Sequence, residues 1–246
     1  MCLILFAVRP RAELPLLVAA NRDEFYARPA AGAHFWTDHP HVLAGRDEEA
    51  GGTWLGVTRT GRFAAVTHFA APGDDAPLSR GALPAEFLSG TLSAAEYAAG
   101  IEGHRYRGYN LLLWDGEQMV YTSNKAPTQV LEPGYYGLSN AELGAQWPKA
   151  VLGAERLGDI ASPDTGALIR LLRDDSVPPD EMLPKRGRDL EFERRVAPCF
   201  IRGEEYGTRA STAVILGAER VEFAEQLYGP MGQTGSNDAF SFNLER

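Results

Sequence analysis

Apolar residues along this chain gather in short runs rather than long stripes. Residues 2 to 8 (Cys-Leu-Ile-Leu-Phe-Ala-Val) and 15 to 21 (Pro-Leu-Leu-Val-Ala-Ala-Asn) flank a polar, proline-bearing turn. Runs of that length bounded by turn residues predict a buried β-hairpin. Further strands are predicted over 53–58, 62–68, 109–114, 118–123, 128–137, 209–216, 220–227 and 239–244, with Asp115-Gly116 as a two-residue hairpin turn. Helical periodicity falls elsewhere, over 82–89, 93–102, 147–157, 164–173 and 189–197, with Ser93 and Asp164 placed to cap. About ten strands in meander order, interrupted by paired helices, predict an α+β layering of antiparallel sheets with helices on their outer faces. Strict βαβ alternation is missing, which argues against a Rossmann fold. The charged, proline-rich stretch 178–188 reads as a linker, but the strands beyond it continue the same sheets, so residues 1–246 are expected to form one domain.

Charge and cysteine content narrow the function. A formal charge of −9 argues against capture of nucleic acid or anionic lipid, each of which needs a basic surface. A small-molecule or protein partner is expected instead, and the oligomeric state is left open. Two cysteines are too few for a disulfide framework, so a reducing compartment and a cytoplasmic location are expected. The N-terminal apolar run ends at Arg9-Pro10-Arg11, too short for a signal peptide or a membrane span.

Cys2, directly behind Met1, is the residue with the clearest chemistry. Removal of Met1 would leave a thiol and a free α-amine on one residue, a nucleophile together with its base. The plain alternative is a buried strand cysteine. With the first turn near Arg11 and Ala12, Cys2 lies opposite Asn21, where the charged segment Asn21-Arg22-Asp23-Glu24 leaves the strand. That register would put Asn21 and Asp23 on the face of Cys2; a one-residue slip would present Arg22 and Glu24. An α-amine of pKa about 7.7 to 8.0 is mostly protonated at pH 7, and a guanidinium beside it would lower that value.

At these residues the chain resembles the NRDE protein family, also called the transport and Golgi organization protein 2 family. The motifs are Met1-Cys2, Asn21 to Glu24, Arg28-Pro29, Gly51-Gly52-Thr53-Trp54-Leu55-Gly56, Gly61-Arg62-Phe63-Ala64-Ala65, Tyr109-Asn110-Leu111, Gly137-Leu138-Ser139-Asn140, Trp147-Pro148-Lys149 and Tyr206-Gly207-Thr208-Arg209. That family is similar to cysteine N-terminal-nucleophile hydrolases of the penicillin V acylase, choloylglycine hydrolase and acid ceramidase type. The resemblance implies a four-layer αββα sandwich and a nucleophile working with an Arg and an Asp after the second strand, a later Asn and a late Arg. These fall on Asn21 to Glu24, Asn140 and Arg209. The hydrolases separate the first Arg and Asp by two residues, whereas Arg22 and Asp23 are adjacent, so Glu24 and Asn21 are alternative acidic and basic positions. His68 stands where relatives often carry Asn.

Two functions follow as expectations. In the first, Cys2 attacks the carbonyl of a small N-acyl amide, Asn140 donates to the oxyanion, Arg209 holds the thiolate, and Trp54, His68 and Asn110 bind substrate. Tyr109, Tyr135, Tyr136 and Trp147 either wall this pocket or form core. In the second, the fold is a non-enzymatic carrier of haem or another lipophilic ligand, with Cys2 and His34, His39, His41 or His68 as axial ligands; members of the family have been linked to haem trafficking. The enzyme needs no cofactor, and the three clustered histidines lack the partners of a zinc site.

Overall fold

The computed structural model describes residues 2–69 and 76–245. Thirteen strands and five α-helices follow one another among them: β1 (Cys2–Arg11), β2 (Leu14–Phe25), β3 (Ala30–Phe35), β4 (Val42–Asp47), β5 (Leu55–Thr58), β6 (Phe63–His68), α1 (Ala82–Ser89), α2 (Ala94–Gly100), β7 (Tyr109–Trp114), β8 (Met119–Ser123), β9 (Gln129–Leu131), β10 (Gly134–Leu138), α3 (Pro148–Gly158), α4 (Thr165–Leu171), α5 (Leu190–Val196), β11 (Tyr206–Leu216), β12 (Arg220–Tyr228) and β13 (Thr234–Asn243). They make two antiparallel sheets, one ordered β10-β1-β2-β11-β12-β13 and the other β3-β4-β5-β6-β7-β8-β9.

Alternation along the strands explains the layers. Ile4, Phe6 and Val8 of β1 point inward to a core shared with Leu55, Val57, Leu112 and Trp114 of the second sheet. Leu3, Leu5 and Ala7 point outward and pack beneath Leu157 of α3 and Leu168 of α4. Both faces are buried, which is why β1 reads as an unbroken apolar run rather than an alternating one. The second sheet does the same through Leu111 and Leu113 of β7, which lie under Leu83, Phe87 and Leu88 of α1 and Ala94 of α2. The result is the four-layer αββα sandwich expected from the resemblance. Helix starts agree with the capping chemistry: Ser93 and Glu96 form a reciprocal capping box, and Asp164 accepts from the Ala167 N–H.

The structure departs from the pattern-based expectation in three respects. β3 and β4 were not predicted, because Ala30-Ala31-Gly32-Ala33 and Ala44-Gly45-Arg46 carry little β-branched or aromatic character. The run 128–137 is two strands rather than one, β9 on one sheet and β10 on the other. The hairpin register also slips by one residue: Cys2 pairs with Arg22 and Leu3 with Asn21, and the pairing is irregular between Val8 and Arg11, where Arg9 adopts a positive φ of 46°. No described helix is long and apolar enough to cross a membrane.

Helix α3 seats directly on β10 because Gly137 has no side chain. A Cβ built there would collide with the Ala150 backbone carbonyl. Both partners are main chain, so neither can swing aside. Gly137→Ala is expected to lower stability by about 1–3 kcal/mol, measured as a fall in the urea midpoint; an unchanged midpoint would contradict this packing.

Candidate active site

The one-residue slip decides what meets Cys2. Directly paired residues share a face, so Arg22 joins Cys2 on the inner side of the sheet, while Asn21 turns to the helix side with Leu3. There the Asn21 amide donates to the carbonyls of Leu172 (3.0 Å) and Cys199 (2.7 Å), and its oxygen accepts from Ser211 (2.6 Å). The expectation that Asn21 faces Cys2 is thereby corrected. Asn21 ties the sheet to the helices.

Arg22 is buried, with 8% of its side chain exposed. Its guanidinium lies 4.2 Å from the centre of the Trp54 ring and 3.8 Å from Asp47. Such a stack contributes roughly 0.5–2 kcal/mol. Trp54 can lie flat there because Gly45 leaves room: a Cβ at that position would enter the indole. Burial alone would raise the Asp47 carboxyl, but Arg28, 2.8 Å away, and the Ala50 N–H hold it below its ordinary value.

Asn140 closes the site from the other side. The main-chain nitrogen of Cys2 donates to Asn140 Oδ1 at 2.8 Å, and Asn140 Nδ2 donates to the His68 carbonyl of β6 at 2.7 Å. Ser139 Oγ donates to the Cys2 carbonyl at 2.7 Å. Beneath it, Thr67 Oγ1 donates to the Ser139 carbonyl and accepts from Asn110 Nδ2, while Tyr121 donates to Asn110 Oδ1. Asn110 is thus fully occupied in holding the Ser139-Asn140 turn, and it does not reach the cavity at Cys2.

That cavity measures about 160 Å³ and is lined by Cys2, Arg22, Glu24, Trp54, His68 and Arg80 among others. Burial pushes the Cys2 thiol above its ordinary value, against Arg22 and the Asp23 backbone N–H that bonds the sulfur. The thiol is therefore held protonated. Asp23 is buried, its carboxyl pushed up by burial and opposed by Lys149 and by the hydrogen bond from Thr208 (2.7 Å). Lys149 is itself buried and pulled down by that burial, with Nζ donating to the Val196 carbonyl at 3.0 Å. Glu24 lines the cavity but accepts from the N–H of its neighbour Phe25.

Arg209 takes a different place from the one expected. Its guanidinium donates to the carbonyls of Phe25 and Arg28, so it clasps the loop after β2 rather than the Cys2 sulfur. Of the other expected pocket aromatics, Tyr109 is core beside Tyr106, Tyr135 and Tyr136 line a separate groove next to α3, and Trp147 packs beneath Arg186. His68 is the one candidate haem-ligating histidine that lines the Cys2 cavity. Arg80 and Asp47 escaped the sequence reading. Arg80 sits in no motif, and Asp47 ends a strand the pattern did not reveal.

A cysteine at the start of an inner strand, its nitrogen held by an asparagine across an αββα sandwich, defines the class of site. The chain belongs to the transport and Golgi organisation 2 family, whose sequence model matches residues 1–230. It is 35% identical over 255 aligned residues to the transport and Golgi organization protein 2 homolog of Bos taurus and 34% to that of Homo sapiens, each alignment covering 92% of both chains. Among solved structures it is similar to the C2A mutant of a conjugated bile acid hydrolase from Clostridium perfringens, with a TM-score of 0.49 and 9% identity over 98% of this chain and 92% of that one.

Burial, together with the positive charge of Arg80 nearby, pushes His68 down to about 3. An unfolded histidine titrates near 6.5, so between these values the unfolded chain binds a proton that the native state refuses, and stability falls as pH drops below 6.5. His68→Asn should remove this term, losing about 1–2 kcal/mol less than the parent between pH 8 and pH 5 in urea titrations. Equal losses would show that His68 carries no such strain.

Proposed function

We propose that this protein is a cysteine N-terminal-nucleophile amidohydrolase that cleaves a small N-acyl amide through Cys2 once Met1 has been removed. The observation that carries the reading is the 2.8 Å bond from the Cys2 nitrogen to Asn140 Oδ1, made by a cysteine that itself lines a cavity. In the described chain that nitrogen is a peptide amide; it stands in for the α-amine of the processed protein. Met1 lies outside the described residues.

The chemistry follows from the positions. The amine, oriented by Asn140, takes the thiol proton as sulfur bonds to the amide carbon. Asn140 Nδ2 carries two hydrogens and gives one to His68, leaving the second for the oxyanion. Collapse breaks the carbon–nitrogen bond, the ammonium returns its proton to the departing amine, and water then splits the thioester to the free acid. Asp23 steadies the positive charge on the amine while it holds the proton.

A second reading, binding of haem or another lipophilic ligand, is supported by one feature: Cys2 and a histidine that burial keeps neutral line the same cavity. Haem titration into the Cys2→Ala and His68→Asn variants tests it, since a saturable Soret shift that survives both changes excludes these ligands.

For the enzyme, intact mass should show loss of Met1, and full retention in active protein would end the terminal-amine mechanism. Hydrolysis across a panel of N-acyl amides should vanish in Cys2→Ala. Asn140→Ala should lower kcat by about 10²–10³; activity unaffected by either change would refute the assignment.

A further inference from the structure

Beside the Cys2 cavity opens a second, larger cleft of about 930 Å³, and His68 and Arg80 line both. The two cavities are therefore neighbours that share this wall. Its walls carry five guanidiniums, from Arg80, Arg107, Arg186, Arg188 and Arg195, against two carboxylates, Glu204 and Glu205. This excess stands out in a chain whose formal charge is −9. A positive recess in an acidic molecule raises the local concentration of anions.

The five arginines are not equivalent. Arg186 is tied to Glu193. Arg80, Arg188 and Arg195 form no ion pair among the described residues; Arg80 gives one N–H to the Gly108 carbonyl at 3.3 Å. Arg188 and Arg195 flank the Phe192 ring, their guanidinium carbons 5.7 and 5.5 Å from its centre. An arginine braced on an aromatic face keeps its planar fork of donors aimed outward, the geometry that grips an oxyanion. Apolar surface completes the cleft: Phe25 is 55% exposed and meets the Tyr206 ring edge-on at 5.1 Å, and Phe69 lines it too.

We propose that this cleft binds an oxyanion joined to an apolar body, so that the substrate is an anionic acyl compound whose charged group rests on Arg80, Arg188 and Arg195 while its carbonyl reaches Cys2. The inference rests on the cavity at Cys2 being the reactive one, but not on hydrolysis taking place. Nucleic acid is disfavoured by the overall charge of −9. A neutral lipophile leaves three guanidiniums without a counter-charge.

The experiment measures binding rather than turnover, using Cys2→Ala so that no probe is consumed. Isothermal titration would compare N-octanoylglycine, its neutral analogue N-octanoylglycinamide, and octyl phosphate. Both anions are expected to bind at least fivefold more tightly than the neutral amide, with the carboxylate and phosphate arms showing which oxyanion is preferred. Raising salt should weaken the anions and leave the amide unchanged. Arg188→Ser with Arg195→Ser, two exposed positions whose change spares the core, should remove the preference without altering the thermal midpoint. A preference below fivefold, one that survives the double substitution, or no saturable binding of either anion overturns the proposal. Anion binding without amide cleavage by the parent protein would retain this site and discard the hydrolase; cleavage of neutral amides without anion preference would do the reverse.

Discussion

The site depends on one side chain that spans the gap between the two sheets. Asn140 accepts from the Cys2 nitrogen with its oxygen and donates to the His68 carbonyl with its nitrogen. One amide thus fixes the first strand of one sheet against an inner strand of the other. The start of a chain is where order is weakest, and a terminal residue keeps a defined position only when its backbone groups are tied down. Here the Cys2 nitrogen and carbonyl are both held, by Asn140 and Ser139, and the turn bearing those two residues is held in its turn by Thr67 and Asn110. The catalytic proposal uses the same bond, because an amine pinned at 2.8 Å has one direction left in which to meet the thiol.

Buried charge sets the electrostatics. Arg22 inside the sandwich and Asp23 and Lys149 on its helix side are all largely withdrawn from water. Ions so placed are costly unless paired, and removing one partner leaves the other uncompensated. The arrangement spreads the burden. Arg22 leans on an indole and on Asp47, Asp23 on Thr208 and Lys149, and Lys149 on main-chain carbonyls. At the sulfur, burial and the Asp23 charge outweigh Arg22, so the thiol is held protonated. Under the proposed hydrolysis, this favours coupled deprotonation and attack over a standing thiolate.

Much of the architecture was legible because buried strands advertise themselves. β1, β2, β7 and β11 are runs of Leu, Val, Ile and Ala that no other element accommodates at that length, and Ser93 and Asp164 marked helix starts correctly. β3 and β4 were hidden by small residues, and with them went Asp47. Register lay beyond reach for a physical reason: the turn contains an irregularity at Arg9, and one extra residue exchanges the faces of everything downstream. Arg209 was misplaced in a similar way. The pairing of β11 with β2 is irregular between Thr208 and Ala210, so the intervening arginine projects to the carbonyls of Phe25 and Arg28.

The segment Asn21 to Glu24 gains its meaning from this geometry. Four polar residues at the end of a strand with two buried faces cannot all serve one pocket, since neighbours point to opposite sides. Arg22 goes to the cavity, where its guanidinium faces sulfur; Asn21 goes to the helices, where its amide satisfies two carbonyls and a serine. Asp23 belongs to both sides, donating its backbone N–H to the Cys2 sulfur and accepting from the Thr208 hydroxyl with its carboxylate. Exchanging Arg22 and Asp23 would bury a carboxylate against the Trp54 ring face and a guanidinium beside Lys149. Both contacts are repulsive, so the order of charges along the strand follows from which layer each face of the sheet must meet.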